Sequence, residues 1–198
     1  MANRYTTEDD PPVPASIPMT DPSAPISATP TVASKAPSRE LTMRFLAEPG
    51  DVNYGGKVHG GIVMKWIDQA GYATAVGWCG RYAVTVAVGG IRFVAPIGIS
   101  DLITINAKLV YTGSTSMHIA VDVSARDPRG GSDRLCTHCV IVFVAVDQQT
   151  GRPVPVPQLT QESDEDRRLA EYAIKVMDLS KDIEQTIARY RDAEATNE

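Results

Sequence analysis

Small and apolar side chains surround nearly the whole of a helix predicted from Gly61 to Trp78, directly after a glycine-rich turn. A helix that is apolar in most directions is buried on most sides. At about 100° per residue, its polar positions fall within one narrow stripe. That stripe consists of Lys65, Asp68, Gln69 and Tyr72. The pattern predicts a buried central helix that carries an acid.

Alternation of apolar and polar positions predicts five strands, at about residues 39–45, 84–93, 103–111, 117–124 and 135–146. Gly89-Gly90 indicates a bulge in the second of these strands. The last strand is apolar on both faces, which is typical of a central or covered strand. Short polar turns favour antiparallel neighbours. The order of elements therefore predicts an α+β fold in which the sheet curls around the helix, and any side left open meets another molecule.

The two ends of the chain differ from this domain in composition. Residues 1–37 contain most of the chain's 14 prolines among Ser, Thr and Ala, which predicts a disordered tail before a single domain at 38–160. Residues 161–198 form a helical extension, from about 162 to 191, whose apolar positions allow docking on the domain or on a partner. No apolar run reaches the ~20 residues of a membrane span, and no apolar signal segment begins the chain. We expect a cytoplasmic protein.

Charge and cysteine usage exclude several classes of function. The net charge is −5 and the 19 Lys and Arg are scattered, so we expect no nucleic-acid partner. Three cysteines are too few for a disulfide framework and fit a reducing compartment. Cys136 and Cys139 have CxxC spacing, but residues three apart on a strand face opposite ways, so we expect no metal site. His118 and His138 lie in strands without companion ligands, and the glycine run lacks the Ser or Thr of a phosphate-binding loop after Lys57.

Asp68 is the candidate for chemistry, and two interpretations compete. It could form an ion pair with Lys65 one turn earlier, worth only about 0.2–0.5 kcal/mol. Alternatively, it could act beside a helix N-terminus, where the amides near Gly60-Gly61 stabilise negative charge. Asp68 lies two turns into its own helix and cannot reach that position within one chain. The second interpretation therefore requires the turn of a partner subunit.

The run N-x-x-G-x-V-H-G-G-x-x-M-K-x-x-D, from Asn53 to Asp68, resembles the hotdog-fold acyl-CoA thioesterases of the cytosolic long-chain type and their small bacterial relatives. The likeness continues at Val84-Thr85, at residues 112–117 and at residues 151–159, and covers roughly residues 39 to 180. It implies a hotdog fold, in which an antiparallel sheet wraps one long helix, and hydrolysis of fatty acyl-CoA. Trp66 departs from the family pattern and leaves the acyl-chain preference open.

The resemblance also implies roles for particular residues. The catalytic pair falls on Asn53 and Asp68, and tandem relatives supply these two residues from different repeats. A single repeat such as this one implies a homodimer with two shared sites, assembled into a hexamer or tetramer. The thioester carbonyl would lie at His59, Gly60 and Gly61. The CoA moiety would lie at a turn that also fits a plain hairpin, namely Thr112, Gly113, Ser114, Thr115 and Ser116.

We expect no cofactor and no metal, because CoA is part of the substrate. The acid could act as a general base toward water or attack the thioester through an anhydride, and the sequence does not separate these routes. Two other functions remain open. One is a hotdog enoyl-CoA hydratase, which would pair an acid with a histidine, and His59 is the only histidine near the site. The other is a non-catalytic acyl-CoA-binding module, which would not need Asp68.

Overall fold

The computed structural model describes residues 37–195, so the predicted N-terminal tail lies outside the described residues except for Pro37. These residues form five strands and two α-helices, with a short 3-10 turn at Pro49–Asp51. In chain order they are β1 (Glu40–Leu46), α1 (Gly60–Cys79), β2 (Ala83–Phe93), β3 (Leu102–Thr112), β4 (Ser116–Arg126), β5 (Arg134–Ala145) and α2 (Asp164–Ala195). Neither helix is long and apolar enough to cross a bilayer.

The strands form one antiparallel sheet in the order β1-β3-β4-β5-β2. α1 packs against one face of the sheet, which we call the inner face, and the two elements share the main core. The predicted fold is confirmed. Among the described strands, β2 lies at the edge and pairs only with β5, and its ladder shifts register at the predicted Gly89-Gly90 bulge.

The backbone of α1 approaches the sheet most closely at Gly71. A Cβ atom at this position would lie 2.8 Å from a ring carbon of Phe143 and 3.0 Å from the Cγ2 atom of Ile141. The first distance is shorter than a Cβ contact allows and the second is very tight, so the missing side chain of Gly71 lets the helix sit this close to the sheet. Nearer the N-terminus of α1, Trp66 packs edge-on against Phe45 with ring centroids 4.8 Å apart.

The two cysteines of the CxxC spacing lie in the same core, so the prediction that they face opposite ways is wrong. A register shift between Val123 and Ser124 in the β4–β5 ladder adds one residue to β5 and breaks the strict alternation. Cys136 and Cys139 are consequently both fully buried in the cluster around α1. Burial raises the pKa of both thiols, to about 12 for Cys139. Residues 37–195 contain no cluster of His, Cys, Asp and Glu able to hold a metal ion.

The first half of α2 covers the outer face of the sheet. Ala173 and Met177 are buried there against Val110, Val140 and Val142, in a second apolar cluster. β5 is therefore covered on both faces, as its apolar sequence predicts. An ion pair of 2.9 Å between Arg39 and Asp166 anchors the start of α2.

Candidate active site

The N-terminus of α1 is capped by the histidine that precedes it. His59 has an extended backbone, and its Nδ1 atom accepts a hydrogen bond from the Gly61 N–H at 3.1 Å. The Ile62 and Val63 amides donate to the His59 carbonyl oxygen at 2.9 and 3.2 Å. Among the described residues, the Gly60 N–H has no such partner. Of the amides near Gly60-Gly61 that we expect to stabilise negative charge, the Gly61 amide is therefore occupied by the His59 ring, and the Gly60 amide is open to a ligand.

Asn53 holds the glycine-rich turn and keeps donor capacity free. Its Oδ1 atom accepts hydrogen bonds from the Gly55 N–H at 2.9 Å and the Lys57 N–H at 3.3 Å. The pairing of its own N–H with the Lys57 carbonyl, at 2.7 Å, closes the turn. The Asn53 Nδ2 group has no hydrogen-bond partner among residues 37–195, so its two N–H donors are available to a ligand.

Asn53 and Gly60 line one cleft of about 300 Å³. The rest of its wall is mostly apolar and comes from the start of α1, the end of β2 and the segment after it: Lys57, Val58, Val63, Phe93, Val94, Ala95, Pro96, Ile97 and Thr137. The cleft thus combines an amide side chain and a helix N-terminus with an apolar lining. Such a combination suits a substrate that has a polar reacting group on an apolar chain.

Asp68 is exposed on the open side of α1 and is held by a threonine. The Thr85 hydroxyl on β2 donates to the Asp68 Oδ1 atom at 2.5 Å. No ion pair joins Asp68 to Lys65 in the described part of the chain, so that interpretation has no support in the geometry. Thr85 was not predicted as a site residue because the contact spans two elements, although Val84-Thr85 at the start of a strand is part of the family resemblance.

A single chain does not bring the three candidate groups, Asn53, Gly60 and Asp68, together. Asp68 does not line the cleft that contains Asn53 and Gly60. It lies eight residues beyond Gly60 on α1, or about 12 Å at 1.5 Å per residue. The polar stripe of α1 is exposed from Lys65 to Tyr72, beside the unpaired edge of β2. This edge carries side chains that are more than half exposed, namely Val86, Phe93 and, just beyond the strand, Val94.

The turn at residues 112–116 is tied to the segment that follows β5. The Thr112 hydroxyl accepts a hydrogen bond from the Leu159 N–H at 2.9 Å, and the Ser114 carbonyl accepts one from the Val156 N–H at 3.0 Å. The Gly113 N–H is used within the turn itself. Many backbone hydrogen-bonding groups of the turn are therefore used within the fold, while the Ser114 side chain remains exposed.

This turn lies at the far end of α1 from the cleft. The Trp78 indole N–H, near the C-terminus of α1, donates to the Pro157 carbonyl at 2.9 Å, within the segment that clasps the turn. Gly60 is 18 residues from Trp78, or about 27 Å along the helix axis. The structure therefore places the candidate CoA-binding turn nearer to Asp68 than to Gly60 of its own chain.

Residues 55–132 match the model of a family described as the thioesterase superfamily. The chain is 34% identical over 131 residues to the acyl-CoA thioester hydrolase YciA of Salmonella typhimurium, covering 64% of this chain and 97% of that protein. Among solved structures, an apo-hexameric acyl-CoA thioesterase superposes with a TM-score of 0.68 at 29% identity, covering 73% of this chain and 92% of that one.

Structures of an acyl-CoA hydrolase from Staphylococcus aureus also superpose, with a TM-score of 0.64 at 25% identity, covering 80% of this chain and 93% of that one. These are two variants, one with an aspartate and one with a threonine replaced by alanine.

Proposed function

The chain belongs to the thioesterase superfamily, among the acyl-CoA thioester hydrolases of the hotdog fold, and we propose that it hydrolyses fatty acyl-CoA to free fatty acid and CoA. The observation that carries the proposal is the exposed Asp68 carboxylate, fixed by the Thr85 hydroxyl at 2.5 Å on a surface beside an open sheet edge. We place the reaction in the cytoplasm, in keeping with the thiols of Cys79, Cys136 and Cys139, which are all free.

The proposed reaction uses water as the nucleophile. The water oxygen bonds to the thioester carbon while Asp68 accepts a proton from this water. The free N–H donors of Asn53 hold the water in place. The oxyanion that develops on the carbonyl accepts a hydrogen bond from the Gly60 N–H at the positive end of α1. His59 fixes this amide by capping the next one, at Gly61. The C–S bond then breaks, and the CoA thiolate takes the proton from Asp68.

Thr85 acts in this scheme as a positioning residue. Its hydroxyl occupies one oxygen of Asp68, so the other oxygen is directed at the water. Asp68 and Thr85 are 17 positions apart. The aspartate and the threonine replaced in the S. aureus hydrolase have the same separation. This match supports assigning the same pair here.

The active unit in this proposal is a homodimer with two shared sites. A two-fold axis beside β2 would extend the sheet and set the α1 helices antiparallel, bringing Asp68 of one protomer to the partner's helix N-terminus. Each site then combines Asn53 and Gly60 of one protomer with Asp68 of the other. We expect these dimers to assemble further into a hexamer, as the apo-hexameric relative does.

Neither alternative function gains a specific observation. A hydratase would need a histidine poised beside the acid, whereas His59 is engaged in capping α1. A pure binding module would not require Asp68 to be held by Thr85.

Release of free thiol from palmitoyl-CoA tests the activity directly. We expect wild-type protein to release CoA and the Asp68→Asn variant to stay folded and lose about 10²- to 10⁴-fold in kcat, the usual contribution of a general base. Near wild-type turnover in Asp68→Asn would remove Asp68 from the mechanism. Loss of enoyl absorbance without thiol release would identify a hydratase, and binding without either signal would identify a binding module.

Mixed dimers test the shared site. Chains carrying Asn53→Ala and chains carrying Asp68→Asn are each expected to be inactive as homodimers. A heterodimer would contain one site with both defects and one with neither, so about half of the wild-type activity per heterodimer should return. Heterodimers verified by two affinity tags but still inactive would show that each chain supplies both residues to a single site.

A further inference from the structure

The helix α2 consists of a docked half and a projecting half. Up to Ser180 it packs on the outer face of the sheet. From Lys181 to Arg191 every side chain is exposed. We call residues 181–195 the overhang. At 1.5 Å per residue the overhang is about 22 Å long, which equals the width of four to five strands.

The path of α2 across the sheet shows where the overhang leaves it. One row of paired residues crosses four strands from β3 to the edge strand β2: Lys108, Ala120, Val140 and Gly89. The start of α2 lies at the β3 end of this row, where Glu165 contacts the Lys108 ammonium group at 3.8 Å. α2 therefore begins over β3. The contacts of Gly89, at the β2 end of the row, show where α2 leaves the sheet.

Gly89 marks the exit. A Cβ atom there would lie 2.7 Å from the Val176 Cγ1 atom and 2.9 Å from the Ser180 hydroxyl, so the end of the docked half rests directly on the β2 backbone. Because β2 is the edge of the sheet, the next residues of α2 pass over this edge. This is the same edge at which the proposed two-fold axis lies.

An apolar stripe runs along the overhang and the helical turn before it. The domain of the same protomer does not cover this stripe. Four side chains along one face are between 47% and 71% exposed: Leu179, Ile183, Ile187 and Tyr190. Their spacing of four, four and three residues keeps them on one side of the helix. The opposite side carries Lys181, Gln185 and Ala188. A helix of this length without tertiary contacts has only marginal stability in water. Contacts that cover the stripe would therefore stabilise the overhang.

We propose that the overhang of each protomer crosses the β2 edge at the two-fold axis and packs onto the partner's α2 and the outer face of the partner's sheet. This inference rests on the dimer proposed above, and adds a second interface on the outer side of the sheet. A two-fold axis beside β2 places the partner's sheet and helix along the path of the overhang. The stripe then extends the apolar cluster of the outer face, which includes Val140, Val142 and Met177.

The charges beside the stripe favour a second copy over an anionic surface. Between residues 181 and 191 both signs occur, with three cations and two acids: Lys181, Asp182, Glu184, Arg189 and Arg191. Amphipathic helices that lie on membranes concentrate Lys and Arg on the polar face, which this segment does not do. Mixed charge around an apolar stripe is instead typical of helices that pack on other protein segments.

Full-length variants with two added glutamates test the contact. Ile183→Glu/Ile187→Glu places the charges in the stripe, and the matched control Gln185→Glu/Ala188→Glu places the same two charges on the opposite side. Because the two-fold axis repeats each change, we expect the dimer dissociation constant from analytical ultracentrifugation to rise at least 100-fold in the stripe variant. The control should stay within about threefold of wild type. Far-UV circular dichroism at protein concentrations above the dissociation constant checks that α2 is retained.

Three results would overturn the inference. The first is equal dissociation constants for the two variants with helicity retained. The second is loss of a larger assembly with the dimer unchanged, which would assign the stripe to contacts between dimers. The third is a wild-type protein that stays monomeric at micromolar concentration. In this third case, thiol release by the monomer is measured as well. An active monomer would also refute the shared-site dimer. The first two results leave the proposed activity intact.

Discussion

The contact between Thr85 and Asp68 gives the sharpest test of how the carboxylate is used. Replacing Thr85 by valine keeps the branched shape that suits a strand but removes the hydroxyl that donates to Asp68 at 2.5 Å. Asp68 would then be free to rotate about its side-chain torsions. The change should alter positioning of the base without creating a cavity.

The expected size follows from the kind of bond that is lost. A hydrogen bond to a charged group contributes about 1.5–3 kcal/mol, and each 1.36 kcal/mol is a factor of ten in rate. We therefore expect Thr85→Val to lower kcat for palmitoyl-CoA about 10- to 100-fold, with KM nearly unchanged. Steady-state thiol release measures both constants. Thr85→Ser retains the hydroxyl and should recover most of the rate.

Thr42 offers a matched control. It is also an exposed strand threonine, and its hydroxyl donates to the Asn106 Oδ1 atom at 2.8 Å on the outer face of the sheet. Thr42→Val should leave kcat within about twofold, since it removes a comparable contact far from Asp68. Wild-type turnover in Thr85→Val would refute the reasoning, as would equal losses in the two valine variants.

Three further outcomes are expected. Gly71→Ala should lower the free energy of unfolding by about 1–3 kcal/mol in urea titrations, because its Cβ would lie 2.8 Å from a ring carbon, and an unchanged midpoint would contradict this close packing. The hydrogen bond from Arg39 lowers the pKa of Asp166 from 3.8 to about 2, so the wild type should be more stable than Asp166→Asn above pH 4 and lose this advantage as the pH falls toward 2. Thermal melts across that range check the sign. Ser114→Ala/Ser116→Ala should raise KM for acyl-CoA if the turn binds CoA, and an unchanged KM would leave it a hairpin turn.

The sequence by itself determined the architecture, because the architecture depends on local periodicity. Alternation identified the strands, short polar turns made them antiparallel, and a helix apolar in nearly all directions required a sheet around it. The stripe at Lys65, Asp68, Gln69 and Tyr72 was placed correctly on the open side of α1 for the same reason. The family was also recognisable, since its motif is a continuous run from Asn53 to Asp68.

Only the tertiary structure decided which groups meet, since those contacts join residues far apart in sequence or depend on one added residue in a ladder. Thr85 reaches Asp68 across two elements, and Lys65 does not pair with it. A bulge turns both Cys136 and Cys139 into the core, against the simple alternation. The docking of α2 likewise depends on Gly89, a strand glycine whose missing side chain leaves room for the helix to cross the edge. Periodicity is a property of neighbours along the chain, and it carries no information on these distances.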